Sequence, residues 1–95
     1  GHIVVMGDIN PGAEVIAGGD VIVWGRVRGK VHAGALGNSG AVVCALDLAP
    51  AQLRIGQLIA VSPDDRVGQE ADAQRSPEMA FVLDGQIIAE PWEPR

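Results

Sequence analysis

The chain is poor in cysteine and in aromatic residues. Its 95 residues include one cysteine, one phenylalanine, two tryptophans and no tyrosine. A single cysteine excludes a disulfide within the chain, which fits a reducing compartment, and we expect a cytoplasmic protein. Because 47% of the residues are hydrophobic, the chain is not a disordered tail. Its core therefore has to be built from aliphatic side chains.

The sequence also has no basic block and no long apolar run. Twelve acidic residues outweigh seven basic ones, giving a net charge of −5. General nucleic-acid binding needs a positive stripe, so we expect no nucleic-acid partner. No apolar run approaches the ~18 residues of a membrane span, and no signal peptide is visible. We therefore expect no direct insertion into a membrane.

What the sequence does contain is a repeat. The stretch IVVMGDINPGAEVIAG at residues 3–18 returns as VIVWGRVRGKVHAG at 21–34 and as AVVCALDLAPAQLRIG at 41–56. Each unit holds three short strand-like pieces separated by Gly, Pro or Asn. Short β-rich repeats with Gly at fixed offsets are typical of a solenoid, in which each turn pairs with its neighbours. The pattern predicts an all-β, three-sided solenoid of about three coils.

Alternation along the strands predicts which side chains face inward. Alternate side chains point to opposite faces of a sheet, so each column of aligned residues lies entirely inside or entirely outside. Five columns contain only apolar residues and are predicted to form the core: Ile3/Val21/Ala41, Val5/Val23/Val43, Ile9/Val27/Leu48, Val15/Val31/Leu53 and Ala17/Ala33/Ile55.

The outward positions divide into two polar faces and one apolar face. One polar face carries Glu14, Lys30, Gln52 and Arg54, and the other carries Asp8, Asn10, Arg26 and Arg28. The third face has the apolar columns Val4/Ile22/Val42 and Met6/Trp24/Cys44. Exposed apolar patches usually mark an interface, so these six residues are predicted to form a homodimer contact centred on Trp24. The alternative is that the C-terminal segment folds over them.

The pattern changes after the third repeat. Residues 63–78 are polar and punctuated by Pro and Gly, which predicts a loop or a short helix. The stretch MAFVLDGQIIAEPW then predicts a hairpin around Asp84-Gly85, covering residues 79–90. We interpret residues 1–62 as coils and 63–95 as a loop and capping hairpin of the same domain. The N-terminal end has no such cap, so we expect further residues upstream.

A search for catalytic residues finds none that combine. His32 is predicted to be an ordinary outward residue, since the six-residue repeat of β-helical acyltransferases fails here. Cys44 has no histidine partner and is predicted to act as a small hydrophobe. The stretch at residues 37–40 is predicted to be a corner. The acidic residues Asp64, Asp65, Glu70 and Asp72 are predicted to lie in a solvated loop. We expect no enzyme activity, no cofactor and no metal.

The stretch GDINPGAEVIAGGDVIVWGRVRGKVHAGALGN at residues 7–38, with LRIG and FVLDGQIIAEPW after it, resembles the C-terminal domain of the septum site-determining protein MinC. The resemblance covers nearly the whole chain. It implies a right-handed parallel β-helix that dimerises and binds the membrane-associated ATPase MinD. The surface for MinD would include Gly12, Ala13 and Glu14, together with an Arg-Ser-Gly-Gln motif that would precede Gly1.

The resemblance also implies a role in cell division. Members of this family prevent septum formation at wrong sites by antagonising polymerisation of the tubulin-like protein FtsZ, through an N-terminal domain that would precede this chain. Contact with the inner face of the membrane would be indirect, through MinD. An alternative from another class is a bactofilin-like structural scaffold, which is also a short bacterial β-helix with Val-x-Gly repeats.

Overall fold

A computed structural model describes residues 1–61 and 76–92 of the chain. These residues contain β-strands and no helix. The predicted loop or short helix over residues 63–78 lies almost entirely outside the described residues. The strands are β1 (Ile3–Val5), β2 (Glu14–Ile16), β3 (Val21–Val27), β4 (Lys30–Ala33), β5 (Val43–Leu48), β6 (Gln52–Ile55), β7 (Leu58–Val61), β8 (Glu78–Leu83) and β9 (Gln86–Pro91).

The strands form two mixed sheets, and each repeat contributes strands to both. The five-stranded sheet has the order β1-β3-β5-β8-β9, and the four-stranded sheet has the order β2-β4-β6-β7. Strands β1, β3 and β5 pair in parallel, as do β2, β4 and β6. Successive repeats therefore stack on one another, and the all-β prediction is confirmed.

The predicted register is confirmed in the first two coils. Val5 pairs with Val23 in the five-stranded sheet, and Val31 pairs with both Val15 and Leu53 in the four-stranded sheet. The two residues of each pair have their side chains on the same face of the sheet, so equivalent positions face inward in each coil.

The predicted register of β5 is wrong by two residues. Val43 pairs with Val21 rather than with Val23, and Cys44 pairs with Ile22 rather than with Trp24. The cause is the long connection from β4 to β5, where the amides of Gly37 and Asn38 both donate to the carbonyl oxygen of Gly34. A shift of two residues leaves each side chain on its predicted face, since the period of a strand is two.

A bulge in β3 restores the predicted pairing further along. Val23 pairs with Ala45 and Arg26 pairs with Asp47, so Trp24 and Gly25 lie opposite the single residue between those partners. Beyond the bulge, Val27 pairs with Leu48 and forms a bridge to Ile9, as predicted.

The core consists of the predicted columns together with Ala45 and Ala80. Twelve of the columns' fifteen members are buried: Ile9, Ala17, Val21, Val23, Val27, Val31, Ala33, Ala41, Val43, Leu48, Leu53 and Ile55. The other three, Ile3, Val5 and Val15, are partly buried and pack against these residues. They are less covered because β1 and β2 have a neighbouring strand on one side only.

Antiparallel strands complete both sheets beyond the third coil. The predicted hairpin is confirmed as β8 and β9, joined through Asp84 (φ 53°) and Gly85 (φ 75°). Positive φ at both central residues fits a type I′ turn, which matches the twist of the flanking strands. Strand β8 pairs antiparallel with β5. Strand β7 pairs antiparallel with β6, a second reversal that the sequence analysis did not predict.

An ion pair joins the second and third coils on a polar face. Nη2 of Arg28 lies 2.9 Å from Oδ2 of Asp47, and the same carboxylate oxygen is 3.9 Å from Nε of Arg26. The side chains of Arg28 and Asp47 are only 21% and 10% exposed, whereas that of Arg26 is 67% exposed. The ion pair of Asp47 with Arg28 is therefore short and largely shielded from solvent, whereas its contact with Arg26 is long and exposed.

Replacement of Asp47 should destabilise the fold. We expect Asp47→Ala to lower the free energy of unfolding by about 2 kcal/mol, because the largely buried Arg28 guanidinium would lose its carboxylate partner and keep only its bonds to the carbonyl oxygens of Val27 and Asp47. The control is Arg26→Ala, which should cost about 0.5 kcal/mol or less, since that contact is long and exposed. Urea unfolding followed by circular dichroism measures both. Equal losses in the two variants would contradict this assignment.

Candidate interaction surfaces

The first candidate surface is the apolar outer face of the coils, defined by Val4, Met6, Ile22 and Trp24. Met6 is 80% exposed, Val4 58% and Trp24 43%, and Ile22 is half-buried. Val42, predicted to belong here, is half-buried just before β5 and donates its amide to Oδ1 of Asp20. Large apolar side chains at equivalent positions of two coils are thus exposed, or partly exposed, to solvent on the outer face of the five-stranded sheet.

Cys44 differs from the prediction that placed it in solvent. It is only 4% exposed, although it is not among the residues of the core cluster. The two-residue shift of β5 places it between Ile22 and Met79, both of which carry longer side chains. Burial raises the pKa of the Cys44 thiol, and the negative charge of Asp20 adds to that effect. A thiol whose ionisation is disfavoured is a poor nucleophile.

The C-terminal segment lies beside the apolar outer face. Strands β8 and β9 extend the five-stranded sheet edgewise. Trp92, just after β9, contacts the face: its ring centroid is 5.5 Å from that of Trp24, with a tilt of 48° between the rings. The Trp92 amide donates to the carbonyl oxygen of Pro77, which fixes the position of its backbone. Val4 and Met6 remain exposed, so the alternative of a covered face applies only around Trp24.

The second candidate surface is the corner that carries Gly12, Ala13 and Glu14, all of which are exposed. The Ala13 amide donates to the carbonyl oxygen of Asn10 at 3.0 Å, and Gly12 has a φ of 91°. A Pro-Gly pair with positive φ at the glycine fits a type II turn. The turn leads into β2, where Glu14 pairs with Lys30 of β4. The sequence thus brings these three residues together on one projecting corner.

The outer face of the four-stranded sheet adjoins this corner. His32 lies on it as predicted, and its Nε2 donates to the carbonyl oxygen of Gly56 at 3.0 Å. That contact fixes the ring against the neighbouring coil. Two apolar residues that the sequence analysis did not single out, Ile16 and Ile59, are 54% and 55% exposed on this sheet. The alternation in Val15-Ile16-Ala17 was the signal that Ile16 faces outward.

Metal sites and membrane-spanning helices were sought in residues 1–61 and 76–92. Among them, no group of three or more His, Cys, Asp or Glu side chains is placed to hold a metal ion. The acidic residues between positions 64 and 72 lie outside that part of the chain. The same described residues include no helix long and apolar enough to cross a membrane.

Stacked parallel coils with an exposed apolar sheet face define a small all-β repeat domain of the kind that usually carries an interaction surface. Residues 1–92 match the family described as "Septum formation inhibitor MinC, C-terminal domain". The chain therefore belongs to the family of MinC C-terminal domains. The bactofilin-like alternative is not favoured.

Similar proteins place the chain within longer relatives. It is 49% identical over 94 residues to a probable septum site-determining protein MinC from Acetivibrio thermocellus, covering 99% of this chain and 40% of the relative. It is also 49% identical over 90 residues to the corresponding protein from Heliobacterium modesticaldum, covering 95% of this chain and 30% of that relative. The chain thus spans less than half the length of the curated relatives it matches.

A solved structure is similar over the whole chain. It is that of a MinC:MinD cell division protein complex from Aquifex aeolicus. The TM-score is 0.86 at 39% sequence identity, and the match covers 100% of this chain and 74% of the other. This similarity supports the all-β fold described above.

Proposed function

We propose that this chain is the dimerisation and MinD-binding domain of a cell-division inhibitor that prevents septum formation at wrong sites. The observation that carries the proposal is the match, over the full chain, to a chain of a solved MinC:MinD complex. In the whole protein, an N-terminal domain antagonises FtsZ polymerisation, and MinD brings the inhibitor from the cytoplasm to the inner face of the membrane. The domain itself has no catalytic role and binds no nucleic acid.

The architecture that goes with this function is a right-handed, three-sided parallel β-helix. We assign residues 1–62 to its coils and residues 63–95 to the rest of the same domain, with β8 and β9 as the capping hairpin; residues 62–75 and 93–95 lie outside the described residues. The parallel pairing of β1, β3 and β5, together with that of β2, β4 and β6, supports stacked coils. The antiparallel pairing of β8 with β5 supports the hairpin as a cap.

The MinD-binding surface includes the corner of Gly12, Ala13 and Glu14. Its exposure and the projecting Asn10–Ala13 turn make this corner accessible to a large partner. Glu14 supplies a charge that is held in place by its strand, so it can select a complementary charge on a partner surface. The resemblance implies an Arg-Ser-Gly-Gln motif as the other part of this surface.

The homodimer forms through the apolar outer face. Val4, Met6, Ile22 and Trp24 stand at equivalent positions of successive coils, and three of them are well exposed. Two such faces that meet across a two-fold axis are self-complementary. Val42 and Cys44 lie next to these residues, and Cys44 contributes by filling space beneath its longer neighbours Ile22 and Met79.

Reversal of the charge at Glu14 tests the MinD surface. In the protein extended upstream to include the Arg-Ser-Gly-Gln motif, we expect Glu14→Lys to weaken binding to MinD about tenfold or more, because like charges then meet. Binding is measured by titration of MinD in the presence of ATP.

The control variant is Gln57→Lys, which adds positive charge at an exposed position of the turn between β6 and β7. It should bind MinD like the unmodified protein. Unchanged binding by Glu14→Lys would remove Glu14 from the surface. If the unmodified extended protein failed to bind MinD, the proposed function itself would be wrong.

A further inference from the structure

We infer that the C-terminal hairpin supplies part of the self-association surface, through Met79, Phe81, Ile88 and Trp92. This inference rests on the proposed homodimer and extends its interface beyond the coils. The hairpin then has two roles, because its inner side chains close the core and its outer side chains meet the second copy.

The strand register places these side chains on the outer face. Ala80 pairs with Val43, and both belong to the buried core, so Ala80 points inward. Its neighbours Met79 and Phe81 point outward, since alternate residues of a strand face opposite ways. Ile88 pairs with Phe81 and shares its face.

The inner face of the hairpin packs against the core of the domain. Val82 and Ile87 are a cross-strand pair, and both pack against the core cluster. They therefore use the opposite face from Phe81 and Ile88. The outer face of the hairpin also carries the exposed Glu90, which pairs with Met79. The apolar side chains on this face exceed what the contact of the hairpin with the core requires, and they lie on the same side of the sheet as Trp24.

The contact between Trp24 and Trp92 joins the two parts of the surface. The rings are 5.5 Å apart, yet Trp24 is still 43% exposed and Trp92 is half-buried. The pair is therefore open to solvent and not enclosed by the domain. Tryptophan is one of the residue types that most often carry binding energy at interface centres.

The buried area that a stable dimer needs favours an interface that includes the hairpin as well as the coils. A stable interface buries about 800 Å² on each partner. Even the largest aromatic side chains bury only about 150–250 Å² each, so Val4, Met6, Ile22 and Trp24 fall short, since each is partly covered already. A face across all five strands is on the order of 20 Å wide. Strands β8 and β9 bring further apolar side chains toward the required area.

The test measures dimerisation of the full chain by sedimentation. We expect Ile88→Asp and Trp92→Ala each to raise the dimer dissociation constant about thirtyfold or more, as for an interface hot spot. The matched control is Ile59→Asp, an exposed isoleucine on the other sheet. It should dimerise like the unmodified chain.

A thiol reagent separates an interface role from a loosened hairpin. Cys44 is buried beside Met79, so detachment of β8 would uncover it. We expect Cys44 to stay protected from the reagent in Trp92→Ala while dimerisation is weakened. Rapid labelling of Cys44 in that variant would assign Trp92 a structural role and overturn the inference.

Fluorescence gives a second reading in the conservative variant Trp24→Phe, whose dimerisation is first established by sedimentation. In Trp24→Phe, Trp92 is the only tryptophan, and the chain has no tyrosine. Quenching of Trp92 by acrylamide should fall as the concentration is raised through the monomer-to-dimer range. Quenching that does not change across that range would overturn the inference.

The outcomes distinguish this inference from the proposed dimer. If Ile22→Asp is monomeric while Ile88→Asp and Trp92→Ala associate normally, the coils alone make the interface and the inference is wrong. If Ile22→Asp remains dimeric, the proposed face itself is wrong.

Discussion

Gly25→Ala is expected to lower the free energy of unfolding by about 3 kcal/mol or more, because the added methyl group has no space. Its Cβ would overlap the carbonyl oxygen of Gly7 and lie 2.6 Å from Oδ1 of Asp8. Gly7 and Asp8 belong to the preceding coil. They cannot withdraw without breaking the 2.8 Å bond that the Arg26 amide donates to Asp8.

The comparison variant for Gly25→Ala is Gly85→Ala. Gly85 has a φ of 75°, but nothing lies within 4 Å of the Cβ it would gain. That change costs only the strain of a left-handed backbone, about 1–2 kcal/mol. Urea unfolding followed by circular dichroism should therefore give a clearly lower free energy of unfolding for Gly25→Ala than for Gly85→Ala. The reverse order would mean that the two coils are not as closely stacked as described.

Ile22→Asp and Trp24→Asp are each expected to convert a dimer into a folded monomer. A carboxylate at either position would be left unpaired against the apolar face of the second copy, and burial of an unpaired charge is costly. Both side chains point away from the core, so the fold itself should tolerate the change. Trp24 is also expected to act as an anchor, worth on the order of 2 kcal/mol or more when truncated.

Sedimentation at micromolar concentration measures this conversion, with circular dichroism as the check on folding. Ile16→Asp is the matched control, since Ile16 is 54% exposed on the four-stranded sheet. It should leave the dimer intact. A dimer that survives either Ile22→Asp or Trp24→Asp would place the interface on another face.

The parts of the fold that repeat in the sequence were predictable from it. The pairing of β1 with β3 follows from matching Ile3-Val4-Val5 to Val21-Ile22-Val23, which lie at equivalent points of similar repeats. The register of β5 was not predictable in this way. The connection after Ala33 is longer than the one after Ala17, and several apolar residues follow it, so more than one alignment satisfies the same alternation.

The surfaces were predictable only in part. Glu14, Met6 and Trp24 follow from alternation and are exposed. The burial of Cys44 depends on which strands flank it, and the contact of Trp92 with Trp24 joins residues distant in the chain. Contacts of this kind depend on the order of strands in the sheet, which hydrophobic patterning along a single chain does not specify.

The reversed strand β7 has a consequence for how copies of this domain can assemble end to end. Strand β9 runs in the same direction as β5, because β8 is antiparallel to both. Strand β7 runs against β6. The terminal edges of the two sheets thus have opposite polarity. The strands of a coil in a second molecule would all run in the direction of the coils in the first. Such a coil could pair in parallel with β9, but it would meet β7 with the opposite strand direction. Proline at the last position of β9 removes one more donor from that edge. Periodic elongation from this end into a filament is therefore disfavoured, and copies are left to associate side by side.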